Sequence, residues 1–225
     1  MNATFETDRL ATSAGDLAIT FFGHASLQFT FGGKQIYADP FGQAADYSAL
    51  PKADFILITH DHFDHCDPQA VAAVRAADTQ VICTAACGGK AAGGIVTGNG
   101  DSREAGGVRI EAVPAYNVVH KRDNGDPFHI PGEGNGYVAT FGGLRVYIAG
   151  DTEDIPEMKN LKKIDVAFLP VNVPYTMTPE MAARAVKMIR PRILYPYHYG
   201  RTDLSRLTAL LADEKEIEIR IRKMA

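Results

Sequence analysis

The sequence predicts a layered α/β protein, with sheets inside and helices outside. Three observations carry that expectation. Short apolar runs of strand length recur along the chain. Two pairs of such runs are closed by turns, at Gly32-Gly33-Lys34 and Gly142-Gly143. Each half of the chain then passes into strand–helix alternation.

Residues 1–15 are polar and read as an irregular lead-in. Leu17–Phe22 is the first expected strand, and Leu27–Phe31 and Gln35–Ala38 form a hairpin. Phe55–Ile58 is fully apolar, as in a buried strand. Asp67-Pro68 opens a helix to about Ala77, because Asp caps well and Pro fits the first turn. Val81–Cys83 is a further strand, and Gly-rich residues 88–107 predict loops and short strands. Val108–Val113 reads as a strand, and Lys121–Gly136 as a long functional loop. Tyr137–Phe141 and Arg145–Ala149 form the second hairpin, and Ile164–Leu169 is a buried strand. Thr178-Pro179-Glu180 starts a helix to about Ile189. Ile193–Tyr195, a helix over Asp203–Asp213 and a strand at Ile217–Ile221 complete the reading.

The composition excludes several classes of function. The 225 residues carry a net charge of −4, which leaves no basic footprint for nucleic acid. No apolar run is long enough to span a membrane, and the N-terminus lacks the pattern of a signal peptide. Three cysteines, Cys66, Cys83 and Cys87, without a C-x-x-C pair, fit a reducing, cytoplasmic compartment. Gly88-Gly89-Lys90 lacks the spacing of a phosphate loop. A small-molecule substrate is the expected partner, and a homo-oligomer is compatible with the sequence.

The chemistry concentrates in Thr59-His60-Asp61-His62-Phe63-Asp64-His65, directly after an apolar strand. Three His and two Asp within seven residues suit Zn, Fe, Mn or Ni. His60 and His62 can aim at one ion while Asp64 and His65 aim at a neighbour.

This His-x-His-x-Asp-His run resembles the metallo-β-lactamase superfamily. Asp39 in Ala38-Asp39-Pro40, Asp151 in Gly150-Asp151-Thr152 and His198 in Tyr197-His198-Tyr199 extend the resemblance along most of the chain. It implies one αββα four-layer sandwich domain over residues 1–225, with a two-metal site at one edge of the sheets. It also implies the ligands: His60 and His62 for the first ion, Asp64, His65 and His198 for the second, and Asp151 bridging. The cofactors would be two divalent metal ions, zinc first, with Mn, Fe or Ni as alternatives. Asp64 would also orient the nucleophile or take its proton.

Asn117 stands where the third motif's histidine is usual, so the resemblance points instead to His129 in Phe128-His129-Ile130-Pro131, with His120 as the alternative. His24, Asp39 and Asn117 are expected to contact substrate or to support the ligands from behind. Lys121 and Arg122 could receive an anionic group, and Tyr116, Phe128, Tyr175, Tyr197 and Tyr199 could line an aromatic pocket. Cys66 is expected to point away from the metals, and Gly150 and Gly200 to permit tight backbone beside them.

Within the superfamily the chain looks most like the group of ascorbate-6-phosphate lactonase and N-acyl phosphatidylethanolamine phospholipase D. A metal-dependent hydrolase of a phosphodiester or a lactone is therefore expected. The competing readings are oxygen-dependent redox chemistry on the same fold and a non-catalytic metal-binding protein.

Overall fold

Each half of the chain builds one sheet, and both sheets follow the same plan. The computed structural model describes residues 4–225. The first sheet runs β1 (Glu6–Thr12), β2 (Gly15–Gly23), β3 (Ser26–Phe31), β4 (Lys34–Ala38), β5 (Phe55–Leu57), β6 (Gln80–Cys83) and β7 (Ile95–Val96). The second runs β8 (Ser102–Ala105), β9 (Val108–Ala115), β10 (Gly134–Phe141), β11 (Leu144–Ile148), β12 (Val166–Pro170), β13 (Ile193–Tyr197) and β14 (Glu218–Ile219). In both sheets the neighbours follow sequence order. The first four strands of each pair antiparallel and the rest parallel. Asp39 after β4 and Asp151 after β11 therefore occupy equivalent places in the two halves.

Helices close the outer faces, which gives the expected αββα sandwich. The helices are α1 (Pro68–Val74), α2 (Pro179–Ile189) and α3 (Ser205–Leu210). Asp67 caps α1 by accepting from Gln69 N and Ala70 N, and Thr178 caps α2 by accepting from Met181 N. Helix α1 ends at Val74, short of Ala77. Its inward residues Ala70, Val71 and Val74 pack with Ile56 and Val81. Helix α2 lays Ala182, Ala185, Val186 and Ile189 on Ala167, Leu169 and Leu194. Between the sheets lies an aromatic core, where Phe29 stacks on Phe141 at 5.5 Å and Phe168 on Tyr195 at 5.0 Å.

Two expectations change. Residues 1–15 are not an irregular lead-in, because β1 pairs along the whole of Glu6–Thr12 with β2; residues 1–3 lie outside the described residues. This edge strand buries only Leu10, so it carries no apolar alternation to read. The loop expected to reach Gly136 ends earlier, since Gly134–Gly136 already pairs with Ala115–Val113. A Cβ on Gly136 would meet the Ala149 carbonyl oxygen at 2.9 Å, so the strand needs glycine there.

Strand β1 is also tied to the far end of the chain. The Asp8 carboxylate accepts from the Tyr195 hydroxyl, from Arg222 Nη2 at 2.8 Å and from Arg220 Nη1 at 3.3 Å. Burial alone would raise the Asp8 carboxyl, but these partners hold it below its ordinary value. A depressed folded value means stability that is present above pH ~4 and lost as pH falls further. Asp8→Asn is expected to cost about 1.5–3 kcal/mol in denaturant unfolding at neutral pH. Its deficit against the parent protein should shrink in acid.

Candidate metal centre

The functional side chains gather at one edge of the sandwich, on loops that leave strand ends. Asp39 follows β4, Thr59–His65 follow β5, Asp151 follows β11 and His198 follows β13. His24 sits in the β2–β3 turn, and Asn117 and His129 lie in the β9–β10 loop.

Backbone geometry marks the same place. His24, Asp39 and His198 have φ of 54°, 44° and 47°, a left-handed conformation that non-glycine residues rarely adopt. Such strain persists where the surroundings over-determine it, and it clusters at functional sites. Here His198 N donates to the His24 carbonyl at 2.9 Å, which ties two of the three strained residues together.

Three imidazoles converge on one carboxylate. His65 Nε2 lies 3.5 Å from Asp151 Oδ1, and His129 and His198 Nε2 lie 3.4 and 3.5 Å from Oδ2. His60, His62 and His129 bring ligand atoms within 4.8 Å of one another, as do His24, Asp64, His65 and His198, and His60, His65 and Asp151.

The opposite ring nitrogens are braced. Thr59 Oγ1 donates to Asp39 Oδ2 at 2.7 Å, so it accepts from His60 Nδ1 at 3.0 Å. His65 Nδ1 donates to Asp39 Oδ2 at 2.8 Å, and His129 Nδ1 to Asn117 Oδ1 at 2.6 Å. His198 Nδ1 lies 3.2 Å from Asn172 Nδ2, a donor, so this contact leaves Nε2 free only with the amide turned about. Such partners fix the tautomer and aim of metal-binding histidines.

Those braces leave Nε2 of His60, His65, His129 and His198, and Oδ1 of Asp151, buried without a hydrogen-bond partner. Buried polar atoms are nearly always satisfied. Five such orphans grouped together are donors able to hold a divalent cation.

The charges agree. Burial pushes the His60 ring well below its ordinary value and the His198 ring to about 4, which keeps both neutral as ligands must be. Burial would raise Asp151, but His198 and His65 hold it well below the usual carboxylate range. Asp64 is likewise brought to about 2, against its burial, chiefly by the hydrogen bond from His24.

His24 differs from the other rings. Its Nε2 engages Asp64 Oδ2 at 3.3 Å, while Nδ1 is the bare atom. It therefore lies against Asp64, within the same group of candidate ligands. The structure also separates the two third-motif alternatives: His129 joins the cluster, whereas His120 Nδ1 lies 2.7 Å from Glu153 Oε1.

A cleft of about 310 Å³ opens onto His60, His62, His129 and Asp151. Arg122 and Phe128 line it, with the guanidinium 5.1 Å above the ring. Tyr175 meets Phe128 edge-on at 5.2 Å. The other expected pocket aromatics are engaged elsewhere. Tyr116 donates to Glu157, Tyr199 to the Arg222 carbonyl, and buried Tyr197 accepts from Gly150 N. Cys66 is buried with Cys83 and Cys87 beneath α1, away from the cluster.

Gly150 has φ 65°, and a Cβ there would meet the Asn135 carbonyl oxygen at 2.9 Å and Thr59 Cβ at 3.0 Å. Gly150→Ala should displace Asp151 next door and cost at least about 2 kcal/mol. A thermal melt and the bound metal content, both lowered, would check it.

Comparison with known proteins agrees with this geometry. A family model described as a Beta-lactamase superfamily domain matches residues 18–198. The chain belongs to that superfamily. It also belongs among the UPF0173 metal-dependent hydrolases. A relative in Nitratidesulfovibrio vulgaris is 32% identical over 201 residues, covering 81% of this chain and 80% of the relative. A crystal structure assigned as a metal-dependent hydrolase from Parabacteroides distasonis superposes with a TM-score of 0.94 at 50% identity, covering 99% of this chain and 100% of that one. Igni18, described as a metallo hydrolase from Ignicoccus hospitalis, gives a TM-score of 0.72 at 25% identity, over 92% and 95% of the two chains. No helix among the described residues of this superfamily member is long and apolar enough to cross a membrane.

Three supporting residues had no role in the sequence reading. Thr59 and Asn172 brace rings, and Glu153 organises the β9–β10 loop. Glu153 stands two residues after Asp151, and that proximity was the one signal available.

Proposed function

We propose that this chain is a dinuclear metal hydrolase acting on a phosphodiester or a lactone. His60, His62 and His129 hold one ion, Asp64, His65 and His198 the other, and Asp151 serves both. Zinc suits this imidazole and carboxylate set, and Mn, Fe and Ni share its donors. Bound divalent cations supply a Lewis acid and an acidified water as nucleophile.

The protein residues do the rest. Asp64, kept anionic beside His24, would accept a hydrogen bond from the attacking water and orient it. Arg122 offers a cation at the cleft, where negative charge develops on phosphoryl or acyl oxygen. Phe63 (70% exposed), Val118, Val119, Ile130 and Tyr175 expose apolar surface on loops that carry or adjoin site residues. That lip suits an organic substrate better than a bare inorganic ion. The three free, buried cysteines fit a cytoplasmic setting.

One observation carries this reading: four bare, buried Nε2 atoms grouped around the Asp151 carboxylate. The test is elemental mass spectrometry of the purified protein, alongside hydrolysis of bis-p-nitrophenyl phosphate and a lactone panel. About two ions per chain with turnover is expected. No bound metal, even after reconstitution with Zn, Mn, Fe or Ni, would overturn it.

A further inference from the structure

We propose that Glu153 is a positioning residue that acts through Asn117 to set the tautomer and aim of His129, and so controls one ion of the pair selectively. The inference rests on the dinuclear reading above.

Glu153 is 1% exposed and touches none of the grouped Nε2 atoms. Its carboxylate instead gathers the start of the β9–β10 loop. Oε2 accepts from Val118 N at 2.7 Å and Val119 N at 2.6 Å. Oε1 accepts from His120 N at 2.7 Å and from Asn117 Nδ2 at 3.1 Å. Three consecutive backbone N–H groups form a concave nest that requires an anion or a comparably rich acceptor.

The consequence passes to Asn117. Its Nδ2 donates to Glu153 Oε1 and to the Tyr175 carbonyl at 3.0 Å, which fixes which way the amide faces. Oδ1 must then point at His129, where it accepts from N at 2.9 Å and from Nδ1 at 2.6 Å. A reversed amide would set two donors against the His129 N–H groups. The ring would answer by moving its proton to Nε2, and a protonated Nε2 cannot bind a cation. Glu153 thus guards the lone pair of a ring that it never touches. Its hydrogen bonds reach neither His65, whose Nδ1 donates to Asp39, nor His198, whose Nδ1 faces Asn172 Nδ2.

The test is calorimetric titration of metal-free protein with Zn²⁺, with the absorption spectrum of the Co²⁺-loaded protein as a second readout. The parent protein should show two binding events. Glu153→Gln turns one acceptor into a donor, and it should weaken one event by roughly 10–100-fold and alter the Co²⁺ spectrum of that site alone. Asn117→Asp keeps the acceptor for His129 but sets a second carboxylate against Glu153, so it should weaken the same event. The double variant Glu153→Gln/Asn117→Asp restores a donor facing an acceptor and should recover part of the lost affinity. A merely structural role would lower the melting temperature and both events together, with no recovery in the double variant. That outcome, or single variants that bind both ions like the parent, would overturn the role of Glu153 while leaving the dinuclear reading intact. A parent protein that binds no metal would overturn both.

Discussion

Asp151→Ala is expected to remove metal and hydrolysis together. Its two oxygens lie 3.4–3.5 Å from the ring nitrogens of His65, His129 and His198. Among the described residues no other acid lies against all three. Without Asp151, in the proposed assignment, the His60–His62–His129 group keeps no carboxylate and the His65–His198 group keeps only Asp64. Losing about 4 kcal/mol of charge stabilisation corresponds to a rate fall of about 10³-fold. Elemental analysis and phosphodiester turnover would check both halves of the prediction. Asp64→Ala is the informative contrast. It removes a carboxylate from the second group only, so metal should remain on His60, His62 and His129 while turnover fails. Unimpaired turnover in both variants would contradict the proposed chemistry.

Chelation is expected to have the largest effect on stability. An ion present at about 1,000 times its dissociation constant contributes about 4 kcal/mol to the folded state. In a chain of this size each kcal/mol moves the melting midpoint by about 2–4 °C. Stripping the metal should therefore lower the midpoint by roughly 8–16 °C, and stoichiometric Zn²⁺ should restore it. The metal-free protein should also be acid-sensitive. Burial, against the pull of Asp151, holds the folded His198 ring at about 4. The unfolded chain takes up that proton first, near pH ~6.5. Stability is thus present above that pH and lost as pH falls toward the folded value. His60 and His62 act in the same direction. His65 acts oppositely. Burial would lower it, but Asp151 and Asp39 raise it, so its contribution is present at low pH and lost as pH rises through its folded value. Three rings against one give a net loss on acidification. Melting curves at pH 7 and pH 5, with and without chelator, would show it.

The candidate site was legible where chemistry is written in consecutive residues. His60, His62, Asp64 and His65 lie in one run after an apolar strand, and Asp151 and His198 each close a strand of the second sheet. The supports were legible only where they belong to a recognisable motif, as Asp39 does. Glu153 could not be read, because its role exists only once residues 117–120 fold onto its carboxylate. The choice between His129 and His120 was open for the same reason, since the path of a long loop decides which ring arrives. In the fold, both Gly-Gly hairpins and the capped start of α2 were readable from local chemistry. Strand β1 was not, because an edge strand with one buried residue has nothing to distinguish it from a polar tail.

Under the proposed ligand assignment, the two-sheet plan also sets when a newly made chain could take its metal. The first sheet's loops carry His60, His62, Asp64 and His65, and the second sheet's carry His129, Asp151 and His198. A nascent chain that has left the ribosome only as far as β7 offers an acidic, histidine-rich loop with no bridging carboxylate. Tight loading must wait until β13 has emerged and the sheets have met face to face. Metal capture then follows the docking of two halves that share no strand.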